Sequence, residues 1–248
     1  MIKSGFRQRI MLGIFLLLLS VFFYALHYAI FRDAHHIFLY LVGDVAFVFV
    51  EVLLVTLIIH QVLSEREKRS VLKKLNMVIG AFFSEAGTEL LRLFITFDSS
   101  AEKLTEQLRV NDKWTEERFD EVEESLRKHN YEVDSRKGEL EELRSFAREK
   151  RGFLLALLEN PNLLEHESFT ELLWAIFHLT EELCYRPGVK NLPETDYKHL
   201  SGDITRSYRL IVREWLGYME HLKNNYPYLF SLGVRTNPFN PDASIVVE

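Results

Sequence analysis

Residues Ile10 to His60 read IMLGIFLLLLSVFFYALHYAIFRDAHHIFLYLVGDVAFVFVEVLLVTLIIH, and this segment determines the architecture of the chain. It contains two apolar runs, Ile10 to Phe31 and Ile37 to His60, separated only by RDAHH. A helix rises about 1.5 Å per residue, so each run is long enough to cross a hydrocarbon core about 30 Å thick. The first run is too long for the apolar part of a signal peptide. The sequence therefore predicts a hairpin of two transmembrane helices.

Basic residues flank this hairpin on both outer sides. Three precede the first run and five follow the second: Lys3, Arg7, Arg9, Arg66, Lys68, Arg69, Lys73 and Lys74. Because Lys and Arg concentrate in cytoplasmic segments, we expect both termini in the cytoplasm and the RDAHH turn outside. The chain is thus predicted to be a multi-pass membrane protein.

Two carboxylates, Asp44 and Glu51, lie inside the second apolar run. A charged side chain at this depth costs about 2.5–3.5 kcal/mol, and such residues usually face a partner or water. Seven positions are close to two helical turns, so both carboxylates project from one face, roughly 10 Å apart. Tyr40 lies one turn from Asp44 on the same side. These residues are the first candidates for a functional site.

Matching depths across an antiparallel hairpin places Asp44 level with Tyr24, whose hydroxyl we expect to bind it, with His27 nearby. Glu51 instead lies level with about Leu17, where the neighbours are leucines. Two helices cannot shield a central carboxylate from lipid on all sides. The second span is therefore predicted to face other copies of itself or another protein.

This pattern permits two main interpretations and a third, lesser one. In one, a homo-oligomer arranges Asp44 and Glu51 as rings along a cation path, with His35 and His36 at the outer mouth. In the other, protonated carboxyls form hydrogen bonds between helices and only fix the assembly. A partner subunit that completes the site is a third reading. The sequence leaves these alternatives open.

The rest of the chain is predicted to be helical, because apolar residues recur every three or four positions and Gly and Pro are few. The fold class is therefore all-α, a transmembrane hairpin continuing into a cytoplasmic helical bundle. The tail after Asn224 is aromatic and rich in proline, and we expect it to be extended. The predicted parts are a hairpin over 1–60 (spans 10–31 and 37–60), an amphipathic juxtamembrane helix over 61–98, a charged helical hairpin or arm over 99–150, and a C-terminal bundle and tail over 151–248.

Composition excludes several classes of protein. The net charge of −6 argues against a nucleic-acid binder. The single cysteine, Cys184, excludes a disulfide framework and a Cys-rich metal site. Catalytic motifs such as a P-loop, GxSxG or HExxH do not occur, and His178 with Glu181 and Glu182 lacks the order of a di-iron motif. We therefore expect no enzymatic activity, no catalytic residue, no cofactor and no metal.

Four strings together resemble a group of uncharacterised bacterial two-span membrane proteins with a helical cytoplasmic domain: HHIFLYLVGDVAFVFVEVLLVTLIIH, EREKRSVLKKLNMVIGAFFSEAGTELL, LLENPNLLEHESFTELLWAIFHL and YPYLFSLGVRTNPF. The resemblance implies a protein of the bacterial inner (cytoplasmic) membrane. It implies no activity, ligand or catalytic residue.

The function expected from these observations is non-enzymatic. The first hypothesis is a self-associating protein of the lipid bilayer whose cytoplasmic helical domain serves assembly or docks a cytoplasmic protein partner. The alternative is a small homo-oligomeric cation channel or transporter subunit in which Asp44 and Glu51 line the path. No nucleic-acid partner is expected in either case.

Overall fold

The computed structural model describes residues 2–161, 163 and 166–246, with the side chains of these residues apart from 2–9 and 64–74. The all-α prediction is confirmed: within these ranges the ordered elements are helices, and an isolated bridge between Asp98 and Val133 is the nearest approach to a strand. The chain forms two compact units, one up to Lys68 and one from Arg69 onward.

The first unit is the predicted hairpin. Helix α1 spans Ile2–Phe31 and α2 spans Ala34–Phe82, so only Arg32 and Asp33 separate them. Arg32 takes a left-handed conformation (φ 55°), and the Asp33 carboxylate accepts a hydrogen bond from the His36 amide at 3.2 Å. Asp33 thus caps the start of α2, where the first amides lack partners within the helix.

Both helices of the hairpin contain a segment long and apolar enough to cross a membrane, Ile10–Phe31 and Ala34–Leu63. Their apolar side chains are almost all exposed in the single chain. The basic side chains that follow the second span lie outside the described side chains, as do those before the first. The orientation inferred from them stays a prediction.

The second unit begins within α2 and continues through a π-helix, Phe83–Gly87, into α3, Thr88–Ile95. The Thr88 amide and hydroxyl both donate to the Phe83 carbonyl, five residues back. This wide turn adds one residue to the helical repeat. Apolar side chains on both sides of it, such as Phe82 and Leu90, are fully or nearly fully buried.

Among its described residues, this unit contains six further α-helices: α4 Ala101–Gln107, α5 Glu116–Lys128, α6 Leu140–Leu158, α7 Glu167–Tyr185, α8 Glu194–Asn225 and α9 Pro227–Arg235. Local capping sets several of their starts. The Thr115 hydroxyl accepts from the Arg118 amide before α5, and His166 Nδ1 accepts from the Phe169 amide before α7.

Helix α8 is the centre of the bundle and packs against α3, α5, α7 and α9, while α6 packs against α7. Its inward face, which includes Tyr208, Ile211 and Trp215, is buried. The apolar side chains of segment 99–150, such as Leu104 and Phe119, also lie in this core. Most charged residues of that segment lie on its outer surface, but Arg144 is buried and donates to the carbonyls of Leu183 and Arg186.

The prediction of an extended tail is wrong over Pro227–Arg235, which form α9. Pro227 occupies the first turn, where a missing amide costs nothing and a fixed φ favours the helix. Phe230 anchors α9 in the core. Beyond it, the Asn237 side chain donates to the Leu108 carbonyl at 2.8 Å, and Phe239 is 1% exposed, so the tail is tied to the bundle.

Candidate functional site

A cavity of about 720 Å³ lies between α1 and α2 toward the turn of the hairpin. It brings together four of the predicted residues, Tyr24, His27, His36 and Tyr40. The His27 and His36 rings stack at 5.8 Å, and the His36 ring lies 4.6 Å from that of Tyr40. His27 Nδ1 is buried without a hydrogen-bond partner. We call this the hairpin cavity.

The carboxylates lie elsewhere. Asp44 and Glu51 do not line the hairpin cavity, and both side chains are exposed in the single chain. Among the described side chains, Asp44 receives no hydrogen bond from Tyr24, contrary to the depth-matching argument. His35 is exposed near the turn and does not line the cavity. The predicted residues therefore separate into an aromatic–histidine group and two unsheltered acids.

A second polar group lies in the helical domain, where α7 and α8 pack together. His178 and Glu182 face it from α7, and His199 and Asp203 face it from α8. Each helix contributes a histidine and an acid four positions apart, which places both side chains on one face. We call these four residues the α7–α8 cluster.

Arg186, at the end of α7, holds one side of this cluster. Its guanidinium donates to both carboxylate oxygens of Asp196, at 3.0 and 2.6 Å, and to Glu182 Oε2 at 2.7 Å. These hydrogen bonds lower the pKa of both carboxyls below their ordinary values, because they stabilise the ionised forms. Both acids are therefore ionised at neutral pH and fix the Arg186 side chain.

A cleft of about 790 Å³ lies between the end of α2, the π-helix, α8 and α9. Its lining mixes apolar residues with polar and charged ones, among them Tyr218, His221 and Arg92. Burial raises the pKa of the Tyr218 hydroxyl and lowers that of the His221 imidazole. A Cβ at Gly80 would come within 3.2 Å of the Tyr218 hydroxyl, so this helix pair needs a small residue there.

Cys184 is a free, partly buried thiol on α7. Among the side chains that the structure describes, no three His, Cys, Asp or Glu residues already stand as a ready metal-binding group. The α7–α8 cluster contains four such side chains, whose donor atoms lie 3.3–4.0 Å apart.

This cluster was not predicted from the sequence. His178 was considered only with its neighbours on α7, whereas His199 and Asp203 lie on α8. The available signal was an internal similarity, HLTEE at 178–182 and HLSGD at 199–203, each a His-Leu pair followed by an acid at the fourth position after the histidine.

Comparison with known proteins identifies the family. The model described as "Uncharacterized protein MJ1433, C-terminal helical domain" matches residues 71–235, and that of the MJ1433 N-terminal helical domain matches residues 3–63. The chain belongs to the MJ1433 family. A relative, "Uncharacterized protein MJ1433" from Methanocaldococcus jannaschii, is 43% identical over 242 residues, which cover 98% of this chain and 97% of the relative. No solved structure matches the chain.

The MJ1433 family matches divide the chain as the structure does, into an N-terminal helical part and a C-terminal one. The resemblance to an uncharacterised helical family is thus confirmed. Neither the family models nor the relative supports the expected bacterial origin.

Proposed function

We propose that this chain is a self-associating membrane protein whose hairpin anchors it in the bilayer and whose cytoplasmic helical domain serves assembly or docks a protein partner. The supporting observation is the position of Asp44 and Glu51, exposed on the apolar second span. The sequence contains no catalytic motif that points to an enzyme, and its net charge of −6 does not favour a nucleic-acid binder. The proposal places both termini in the cytoplasm, on the strength of the flanking basic residues.

The energetic argument rests on Glu51. A carboxylate facing acyl chains costs about 2.5–3.5 kcal/mol on insertion scales, and protonation only partly relieves this cost because the hydroxyl still needs an acceptor. Contact with a second copy supplies an acceptor or donor at the same depth. An interhelical hydrogen bond of this kind is worth about 0.6–2 kcal/mol in a membrane. Self-association thus supplies the Glu51 carboxyl with a hydrogen-bond partner that the single hairpin lacks.

The helical domain offers a surface for contact with a partner. Trp174 on α7 is 59% exposed, and its ring meets Phe177 edge to face. Arg151 lies over the Phe177 ring at 5.6 Å. Tryptophan and arginine are enriched among the few residues that supply most of the binding energy at protein interfaces. This patch is where we expect a second copy or a cytoplasmic protein to bind.

The first test is the mass of the assembly, measured by native mass spectrometry of the full chain in mild detergent. We expect an oligomer for the wild type, a retained oligomer for Glu51→Gln, which keeps hydrogen-bonding capacity, and a weakened one for Glu51→Leu. Val52→Leu, one position along α2, is the matched control and should leave the mass unchanged. A monomeric wild type at all protein concentrations would overturn the proposal.

A cation channel or transporter subunit is the second candidate, favoured because Asp44 and Glu51 share a face of one continuous helix, Ala34–Phe82. Its test is cation flux into liposomes that contain the purified chain. A conducting protein should lose most of its flux in Glu51→Gln and keep it in Val52→Leu. An oligomer without flux rejects the channel and leaves the assembly role intact.

A further inference from the structure

We propose that the α7–α8 cluster binds a divalent transition-metal ion such as Zn²⁺. The ligands are His178 and Glu182 from α7 and His199 and Asp203 from α8. The site lies wholly within the helical domain and is independent of the function proposed for the hairpin.

The distances between the donor atoms are close to, but mostly larger than, those around such an ion. Asp203 Oδ2 lies 3.3 Å from His199 Nε2 and 3.7 Å from His178 Nε2. Glu182 Oε2 lies 3.6 Å from His199 Nε2, and Glu182 Oε1 lies 4.0 Å from His178 Nε2. Ligand atoms about 2.0–2.1 Å from a tetrahedral Zn²⁺ stand about 3.3–3.5 Å apart. Three of the four nitrogen–oxygen pairs are therefore too far apart for a hydrogen bond. The fourth pair, at 3.3 Å, has the spacing that a shared ion imposes.

Asp203 supplies an independent indication. Its side chain is 5% exposed, and its Oδ2 atom is buried without a hydrogen-bond donor. A buried carboxylate oxygen normally accepts at least one hydrogen bond, because leaving it without a donor is energetically costly. Here Oδ2 points instead at two imidazole nitrogens. A cation shared with these nitrogens would satisfy it.

The chemistry of the donors selects the ion. Two imidazoles and two carboxylates suit Zn²⁺ and its first-row neighbours, whereas Ca²⁺ and Mg²⁺ prefer oxygen alone. Arg186 holds Glu182 Oε2 at 2.7 Å, which orients the carboxylate in the way that outer hydrogen bonds orient metal ligands. Arg186 is itself paired with Asp196, and Arg206 approaches Asp203 Oδ1 at 3.7 Å from the surface. Three carboxylates thus outnumber two guanidinium groups around the site.

Metal can reach the site from solvent, because His178 and His199 are about half exposed, 47% and 51%. Three of the four nitrogen–oxygen distances exceed the spacing expected around a bound ion. Binding must therefore draw the two imidazoles inward by small side-chain rotations. Since their backbones sit on packed helices, the ion would join α7 to α8.

The test uses the full chain in detergent, stripped with EDTA and titrated with Zn²⁺ by calorimetry and with Co²⁺ by visible absorption. We expect one ion per chain, a dissociation constant in the micromolar range or below, and the intense d–d bands of tetrahedral Co²⁺. Binding should weaken at least tenfold in His199→Gln, Asp203→Asn and Glu182→Gln. Glu181→Gln is the matched control, because Glu181 pairs with Arg151 instead, and it should bind as the wild type does.

The wild-type Co²⁺ spectrum keeps the test decisive if a variant fails to fold, which circular dichroism would report. Absence of stoichiometric Zn²⁺ uptake by the wild type overturns the proposal. Zn²⁺ uptake that is unchanged in both His199→Gln and Asp203→Asn also overturns the proposal. A third contradicting result concerns the thermal stability of the stripped protein. If added Zn²⁺ leaves the pH dependence of that stability unchanged, the four side chains form ion pairs only and the proposal fails.

Discussion

Two glycines of the helical domain differ in whether the surrounding side chains leave room for a methyl group at that residue. A Cβ at Gly87 would lie 2.6 Å from Phe83 Cδ1 and 2.8 Å from Phe82 Cε1. Both rings are buried, at 2% and 0% exposure, so neither can move aside. At Gly152, on α6, a Cβ would meet nothing within 4 Å.

Gly87→Ala should therefore destabilise the domain by about 1–3 kcal/mol through overpacking. Gly152→Ala is the matched control and should stabilise it by about 0.5–1 kcal/mol, because alanine loses less backbone entropy in a helix. Chemical denaturation followed by far-ultraviolet circular dichroism measures both. Equal effects of the same sign would contradict the packing of Phe82 and Phe83 described above.

At the scale of elements, Arg186 joins the end of α7 to the start of α8 by pairing with Asp196 and Glu182. The pKa of each carboxyl is lower in the folded protein than in the unfolded one. Its contribution to stability is thus complete above the unfolded value, near pH 4, and is lost as the pH falls through the lowered value. Arg186 also donates to the Glu182 backbone carbonyl, an interaction that does not depend on pH.

Arg186→Met should lower the melting temperature at pH 7, and its difference from the wild type should shrink, without vanishing, as the pH falls below about 4. Arg127→Met serves as control, since Arg127 pairs with exposed Glu123 and Glu124 on α5 and such pairs contribute little. Thermal unfolding between pH 3 and 7 measures the difference. A gap that stays constant over this range would rule out the carboxylates as the partners that matter.

At the scale of the whole molecule, a helix can be predicted when its sequence pattern lies within one continuous segment. Two long apolar runs are enough to predict two long helices, and the separating RDAHH segment is too short for anything but a hairpin. The amphipathic pattern of segments such as 167–185 likewise predicted α7. Helix α9 is the exception: a proline-rich tail suggests extended chain, but Pro227 occupies the first turn of a helix, a position that proline favours.

Contacts between elements were less accessible from sequence. The pairing of Asp44 with Tyr24 was expected from depth alone, but depth does not fix how each helix is rotated about its axis. Helix α1 is apolar on all sides, so no stripe indicates which face meets α2. The α7–α8 cluster likewise depends on the packing of two helices, which one sequence does not reveal.

The π-helix at Phe83–Gly87 has a consequence for the length of the chain. The wide turn holds one residue more than an α-helical turn, so deletion of one residue within it would leave a regular helix whose downstream side chains stay in phase. Deletion of Thr88 or Glu89, which begin α3, would instead rotate the rest of that helix by about 100°. Leu90, Leu91 and Phe94, now 0–2% exposed, would then leave the interior together. Loss of a single codon should therefore be harmless inside the π-helix and disruptive just after it.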